Sequence, residues 1–137
     1  MARGLNNNNP LNIRHSKDVF QGETVPSKDR AFKQFKTMPY GYRAAFVTLG
    51  TYLTRGRNTV EKIVSAWAPP EDGNRTADYI RHVETWSGVQ RDTVLTAKSG
   101  REYIRIVAAM ARVENGTPAV TDDVEAGFRL QSKITDQ

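Results

Sequence analysis

The stretch "SGREYIRIVAAMARVENG", residues 99 to 116, constrains the fold more than any other part of this 137-residue chain. Tyr103, Ile104, Ile106, Val107, Ala108, Ala109, Met110, Ala111 and Val113 make a helix over residues 100–114 that is apolar nearly all round. Ser99 is its expected N-cap, and Asn115 with Gly116 its stop. A helix with so little polar surface has to be enclosed by other elements. A chain of this length has material for one core and buries roughly two thirds of its unfolded surface, so residues 1–137 are expected to form a single domain around that helix.

The surrounding elements follow from spacing and punctuation. Tyr42, Ala45, Phe46, Leu49, Tyr52 and Leu53 recur at three and four, which predicts a helix from Tyr42 to Leu53 after a turn at Pro39 and Gly41. Thr59 caps "TVEKIVSAW", which ends before the prolines at 69 and 70. Thr76 is the expected cap of a third helix carrying Ala77, Tyr79, Ile80, Val83 and Trp86 up to Gly88. Thr121, Asp122 and Asp123 begin a last helix through about Leu130, leaving 132–137 as a polar tail. Residues 1–38 are Asn-rich and carry no helical period; short apolar pieces at Leu11 and Ile13, Val19 and Phe20, and Phe32 and Phe35 predict a small, irregular β lobe. The expected class is therefore mainly α (α+β): a central apolar helix, about four further helices within 39–131, and an N-terminal β lobe.

Composition removes several chemistries. There is no cysteine, which rules out a disulfide framework, a thiolate metal site and a thiol nucleophile. His15 and His82 are the only histidines and show no HExxH spacing, and neither a Gly-rich phosphate loop nor a nucleophile elbow is present. No metal and no cofactor are expected. With 20 Lys plus Arg against 15 Asp plus Glu, the net charge of +5 favours an anionic partner such as a cell wall, nucleic acid or a membrane surface. The N-terminus lacks a secretory h-region and no stretch reaches the ~18 apolar residues of a membrane span, so the chain is expected to be made in the cytoplasm without a signal peptide.

Glu114 is the first candidate for chemistry. A helix C-terminus carries about half a negative charge, which disfavours a carboxylate there, and partial burial at the edge of the core acts in the same direction. A glutamic acid kept protonated is what glycosidic cleavage requires of its general acid; the alternative is a side chain emerging into water at a frayed helix end. Glu23, in "FQGETVPSKD", is a second carboxylate, either the acid itself, a partner that stabilises an oxocarbenium ion or positions water, or an exposed loop residue.

Other residues point to carbohydrate. Asn8, Asn9 and Asn12, held by Pro10, present amide donors and acceptors suited to sugar hydroxyls and acetamido groups, or else brace the start of the β lobe. Tyr40, Tyr42 and Tyr79 belong to a strongly aromatic half of the chain, where such rings line sugar grooves or fill a core. Asn74 and Thr76 follow the prolines in a loop, as ligands or as loop caps.

The ordered segments "NNNNPLNIR", "FQG", "FKQF", "GYRA", "TVEKIVSAWAPPEDGNRTADYIRHV" and "AAMARVENG" resemble, from about residue 3 to 128, small phage-type peptidoglycan hydrolases of the lysozyme-like superfamily. "ARVENG" is similar to the glutamate segment ending the central helix of lytic transglycosylases, and "NNPLNI" to an asparagine-rich segment of related glucosaminidases. In this chain the two occur in reversed order. The resemblance implies a lysozyme-like domain that cleaves the β-1,4 bond between N-acetylmuramic acid and N-acetylglucosamine by hydrolysis or transglycosylation, with Glu114 or Glu23 as acid. It also implies peptidoglycan glycan strands as partner, phage virion proteins as further partners and the periplasmic wall as the place of action, with nucleic acid not the expected ligand. The rival expectation is a non-enzymatic phage virion structural or binding protein of the same fold.

Overall fold

The computed structural model describes the backbone of residues 2–135 and the side chains of residues 2–131. Six α-helices and one two-stranded sheet are present among them: α1 (Arg3–Asn6), β1 (Glu23–Thr24), β2 (Gln34–Phe35), α2 (Met38–Thr54), α3 (Val60–Trp67), α4 (Thr76–Ser87), α5 (Gly100–Asn115) and α6 (Thr121–Thr135). The fold is mainly helical, as the periodicity predicts.

Helix α5 is the enclosed one. Ile106, Val107 and Met110 have no exposed surface, and α1, α2, α4 and α6 all pack against α5. Leu49 of α2, Ile63 and Val64 of α3, Val83 of α4 and Val124 of α6 complete a core to which every helix except α1 contributes. Each such aliphatic side chain contributes about 1.5–3 kcal/mol when fully buried. Gly127 lets α6 settle onto α2, because a Cβ there would lie 2.5 Å from Tyr42 Cβ and 2.8 Å from the Pro39 carbonyl.

Residues 2–37 wrap one end of this bundle with little regular structure. β1 and β2 are antiparallel, Glu23 opposite Phe35 and Thr24 opposite Gln34, with an isolated bridge between Arg14 and Phe32. The lobe has few apolar residues, and its interior is partly ionic. Lys33, 1% exposed, pairs with Glu23, 5% exposed, at 3.0 Å and also donates to the Asp18 carbonyl at 2.7 Å.

Several boundaries differ from expectation. Helix α2 begins at Met38, because Pro39 occupies the first turn, where its missing N–H costs nothing. Gly41 is thus inside the helix, where the Asn8 carbonyl leaves no room for a Cβ. One helical turn, α1, forms where no helical period exists, and its last residue is Asn6. Thr76 is the first helical residue of α4 and not its cap; its hydroxyl donates to the Ala68 carbonyl, tying the loop to the end of α3. Ser99 sits at the N-cap of α5 without a capping bond, its hydroxyl accepting from Thr96 N–H instead. Thr59 does cap α3, accepting from Lys62 N–H at 3.2 Å. The expected tail is helical over residues 132–135, and its last two residues, 136 and 137, lie outside those described.

Candidate functional site

The C-terminal turn of α5 meets the N-terminal segment. Gly116 ends the helix in the left-handed conformation, φ +72°, donating its N–H to the Arg112 carbonyl. Asn115 then reaches across to the Pro10 carbonyl at 2.8 Å while also donating to Ala111. On the other strand of this junction Asn12 adopts φ +55°, a conformation that asparagine tolerates better than other side-chain-bearing residues. Its turn is closed by Asn12 N–H to the Asn9 carbonyl at 3.0 Å. The result is that Asn12 Nδ2 donates to Glu114 Oε1 at 2.8 Å.

Tyr79 holds the other oxygen. It stands in the first turns of α4, 7% exposed, and its hydroxyl donates to Glu114 Oε2 at 2.9 Å. Glu114 therefore bridges α4 and the N-terminal segment from its place on the innermost helix. Burial pushes its carboxyl above the ordinary glutamate value of 4.5, and the bonds from Asn12 and Tyr79 and the charge of Arg14 offset only part of that rise. Burial and the Glu114 charge in turn push the Tyr79 hydroxyl well above its ordinary range, so it remains a donor.

Two concavities open on Glu114. One, of about 280 Å³, lies along α4 and is bordered by Asn74, Arg75, Asp78, Tyr79 and His82. The other, of about 250 Å³, lies against the N-terminal segment and is bordered by Asn12, Arg14, Phe32, Trp67 and Asp72. Asn74 and Glu114 line both, so the carboxyl stands where the two meet. Asp78 is held by Arg75 at 2.8 Å and Arg81 at 3.0 Å, whereas Asp72 has no ion pair among the described residues.

The residues singled out in the sequence divide into two groups. Glu114, Asn12, Tyr79 and Asn74 come together at this junction. The others are placed elsewhere. Glu23 is sealed in the lobe by Lys33 and by Phe20 N–H at 3.0 Å, and lines neither concavity, so it is no counterpart to Glu114 across a cleft. Asn9, fully buried, donates to the Ile13 and Lys33 carbonyls, and Asn8 to Phe35, which makes both braces of the lobe. Tyr42 is 2% exposed in the core. Tyr40 packs its ring on Gly22, whose Cβ would collide with it. Thr76 is spent on the Ala68 carbonyl.

Arg14 and Asp72 border the site without having been singled out. Their only sequence signal is position: Arg14 closes "NPLNIR" and Asp72 sits in the turn after two prolines. Among the described residues no three His, Cys, Asp or Glu side chains converge as metal ligands, and no helix is long and apolar enough to cross a membrane.

No protein-family model matches the sequence. The chain is similar to Protein P5 of Pseudoalteromonas phage PM2, with 38% identity over 132 residues, covering 93% of this chain and 80% of the phage protein. Identity at that level over nearly the whole chain includes both the N-terminal lobe and the helices that carry Glu114. The chain belongs to the family of that phage protein, Protein P5.

Proposed function

We propose that this chain is a phage-type peptidoglycan glycosidase of lysozyme-like build, with Glu114 as the general acid. The observation that carries the proposal is the placing of one half-buried carboxyl, biased toward its protonated form, where two concavities meet. A glycan strand laid along the junction presents a glycosidic oxygen to Glu114, which donates its proton as the C–O bond breaks. Tyr79 and Asn12 fix the carboxyl rotamer through both oxygens, and they stabilise the carboxylate left behind. With Glu23 locked to Lys33, the chemistry that fits best needs a single carboxyl. Glu114, now ionised, takes the proton of the attacking hydroxyl, either water or the muramic acid's own C6 hydroxyl. The latter closes an anhydro ring. The excess of positive charge raises encounter with a wall rich in stem-peptide carboxylates. Delivery is by a phage particle or through a lysis pore, in line with the phage relative.

A second reading has its own support. Both Glu114 oxygens accept bonds from groups distant in sequence, 102 and 35 residues away, as a purely structural clasp in a non-enzymatic virion protein also would. Clearing of permeabilised Gram-negative cells, followed by turbidity, separates the two. Clearing by the natural chain and none by a folded Glu114→Gln variant establishes the glycosidase. No clearing by the folded natural chain establishes the structural protein.

A further inference from the structure

A concavity larger than the two at Glu114, about 700 Å³, lies on the far side of Arg14, between residues 13–21 and α2. Its charged lining is one-sided: Arg14, Arg43, Arg55 and His15 face it, with Asp18 as the one acid. Arg43 is the unusual member. It is 9% exposed, yet no hydrogen bond or ion pair joins its side chain to another described residue, and its Nε is buried without a partner. Burial pushes its guanidinium below its ordinary range, and the Tyr40 hydroxyl opposes that shift only in part.

A guanidinium whose Nε is buried without an acceptor carries a desolvation cost that no carboxylate repays. An apolar residue on the same face of α2 would cost less. Charges retained against stability in a cleft are characteristic of binding sites. The remaining walls define the ligand further. Phe20, Val47 and Tyr52 contribute apolar and aromatic surface beside the cations, and the space far exceeds what a bare oxyanion fills. Guanidinium forks match phosphate oxygens in pairs.

We propose that this chamber binds a small organic phosphate, its phosphoryl oxygens on Arg43 and its ring or chain against Phe20, Val47 and Tyr52. The proposal does not rest on the glycosidase reading, because neither Glu114 nor Tyr79 lines the chamber.

Phenyl phosphate and inorganic phosphate, titrated into the full chain by calorimetry and by amide NMR, provide the test. Phenyl phosphate is expected to bind at least tenfold more tightly than inorganic phosphate, with shifts confined to residues 13–21 and 43–55. Arg43→Met, which keeps the buried stem, is expected to weaken that binding at least tenfold while melting no lower than the natural chain. Arg43→Lys, which keeps the charge but loses the fork, is expected to fall between them, and it serves if the methionine variant does not fold. Glu114→Gln is expected to bind unchanged, which separates failure here from failure of the glycosidase reading. Parallel titrations with a mononucleotide and with a short-chain phosphatidic acid identify the source of the phosphate by the lower Kd. No saturable binding of phenyl phosphate below about 10 mM, equal binding of neutral benzyl alcohol, or full affinity in a folded Arg43 variant overturns the proposal.

Discussion

Replacing Glu114 by glutamine changes a proton donor into an amide with almost no change in shape. Asn12 Nδ2 at 2.8 Å and Tyr79 OH at 2.9 Å both donate to the natural carboxyl. Glutamine keeps its Oε1 for Asn12 and can turn its amide N–H toward the Tyr79 oxygen, so both contacts survive as neutral bonds. A charge-assisted bond contributes about 1.5–3 kcal/mol and a neutral one about 0.5–1.5 kcal/mol. The loss is offset because the variant no longer buries an ionisable group. Stability at pH 7 should stay within about 1.5 kcal/mol of the natural chain. Catalysis behaves differently. Loss of a general acid lowers the rate about 100- to 10,000-fold, or about 3–5 kcal/mol of transition-state stabilisation. Urea unfolding and turbidity clearing measure the two effects on the same preparation. A folded variant that clears at more than about a hundredth of the natural rate refutes the acid role, since the smallest expected loss is about 100-fold.

Tyr79→Phe removes a bond that favours the ionised form, so the Glu114 carboxyl moves further up and the alkaline limb of the clearing profile shifts to higher pH; an unmoved limb counts against the coupling. Because the folded Glu114 carboxyl titrates above its unfolded value near 4.5, its contribution to stability is full below that value and is lost as pH rises through the folded one. Glu114→Gln should abolish that component of the pH dependence of unfolding, and an identical dependence in both proteins contradicts the burial effect. Lys33→Met strands Glu23 in the lobe and should cost about 3–5 kcal/mol in urea unfolding, with Lys33→Met/Glu23→Gln recovering most of it; a cost below about 1 kcal/mol shows that water reaches the pair. Gly127→Val forces α6 away from Tyr42 and should lower stability by at least about 1–3 kcal/mol, read from the melting temperature.

The helices were legible where a period met a stop signal. Helix α5 shows both, an apolar pattern ending at Asn115–Gly116, and this is why Glu114 stands out in the sequence alone. Helix α6 runs past the end its sequence predicts because "QSKIT" carries no apolar period to mark the extension. Of the asparagines, the sequence suggested an ordered polar cluster but could not say which side chain faces what. Asn8 and Asn9 turn inward to carbonyls, Asn7 donates to Asp29 within the lobe, and Asn12 alone of the four reaches Glu114. The Glu23–Lys33 pair is invisible in the sequence, because its members lie ten positions apart in largely irregular chain and no periodicity aligns them. Arg14, Arg43 and Asp72 acquire their neighbours only from the packing of the lobe on the bundle.

The clasp between the N-terminal turn and the end of α5 joins Pro10 to Asn115 and Asn12 to Glu114, across 105 and 102 residues of chain. Contacts of such long sequence separation form late, after the local helices, because the intervening chain must first be ordered. During synthesis the Asn12 turn therefore lacks its carboxyl partner until residue 114 has left the ribosome. Fragments ending before α5 carry the asparagine turn with nothing to grip, and maturation of the junction is tied to the emergence of α5.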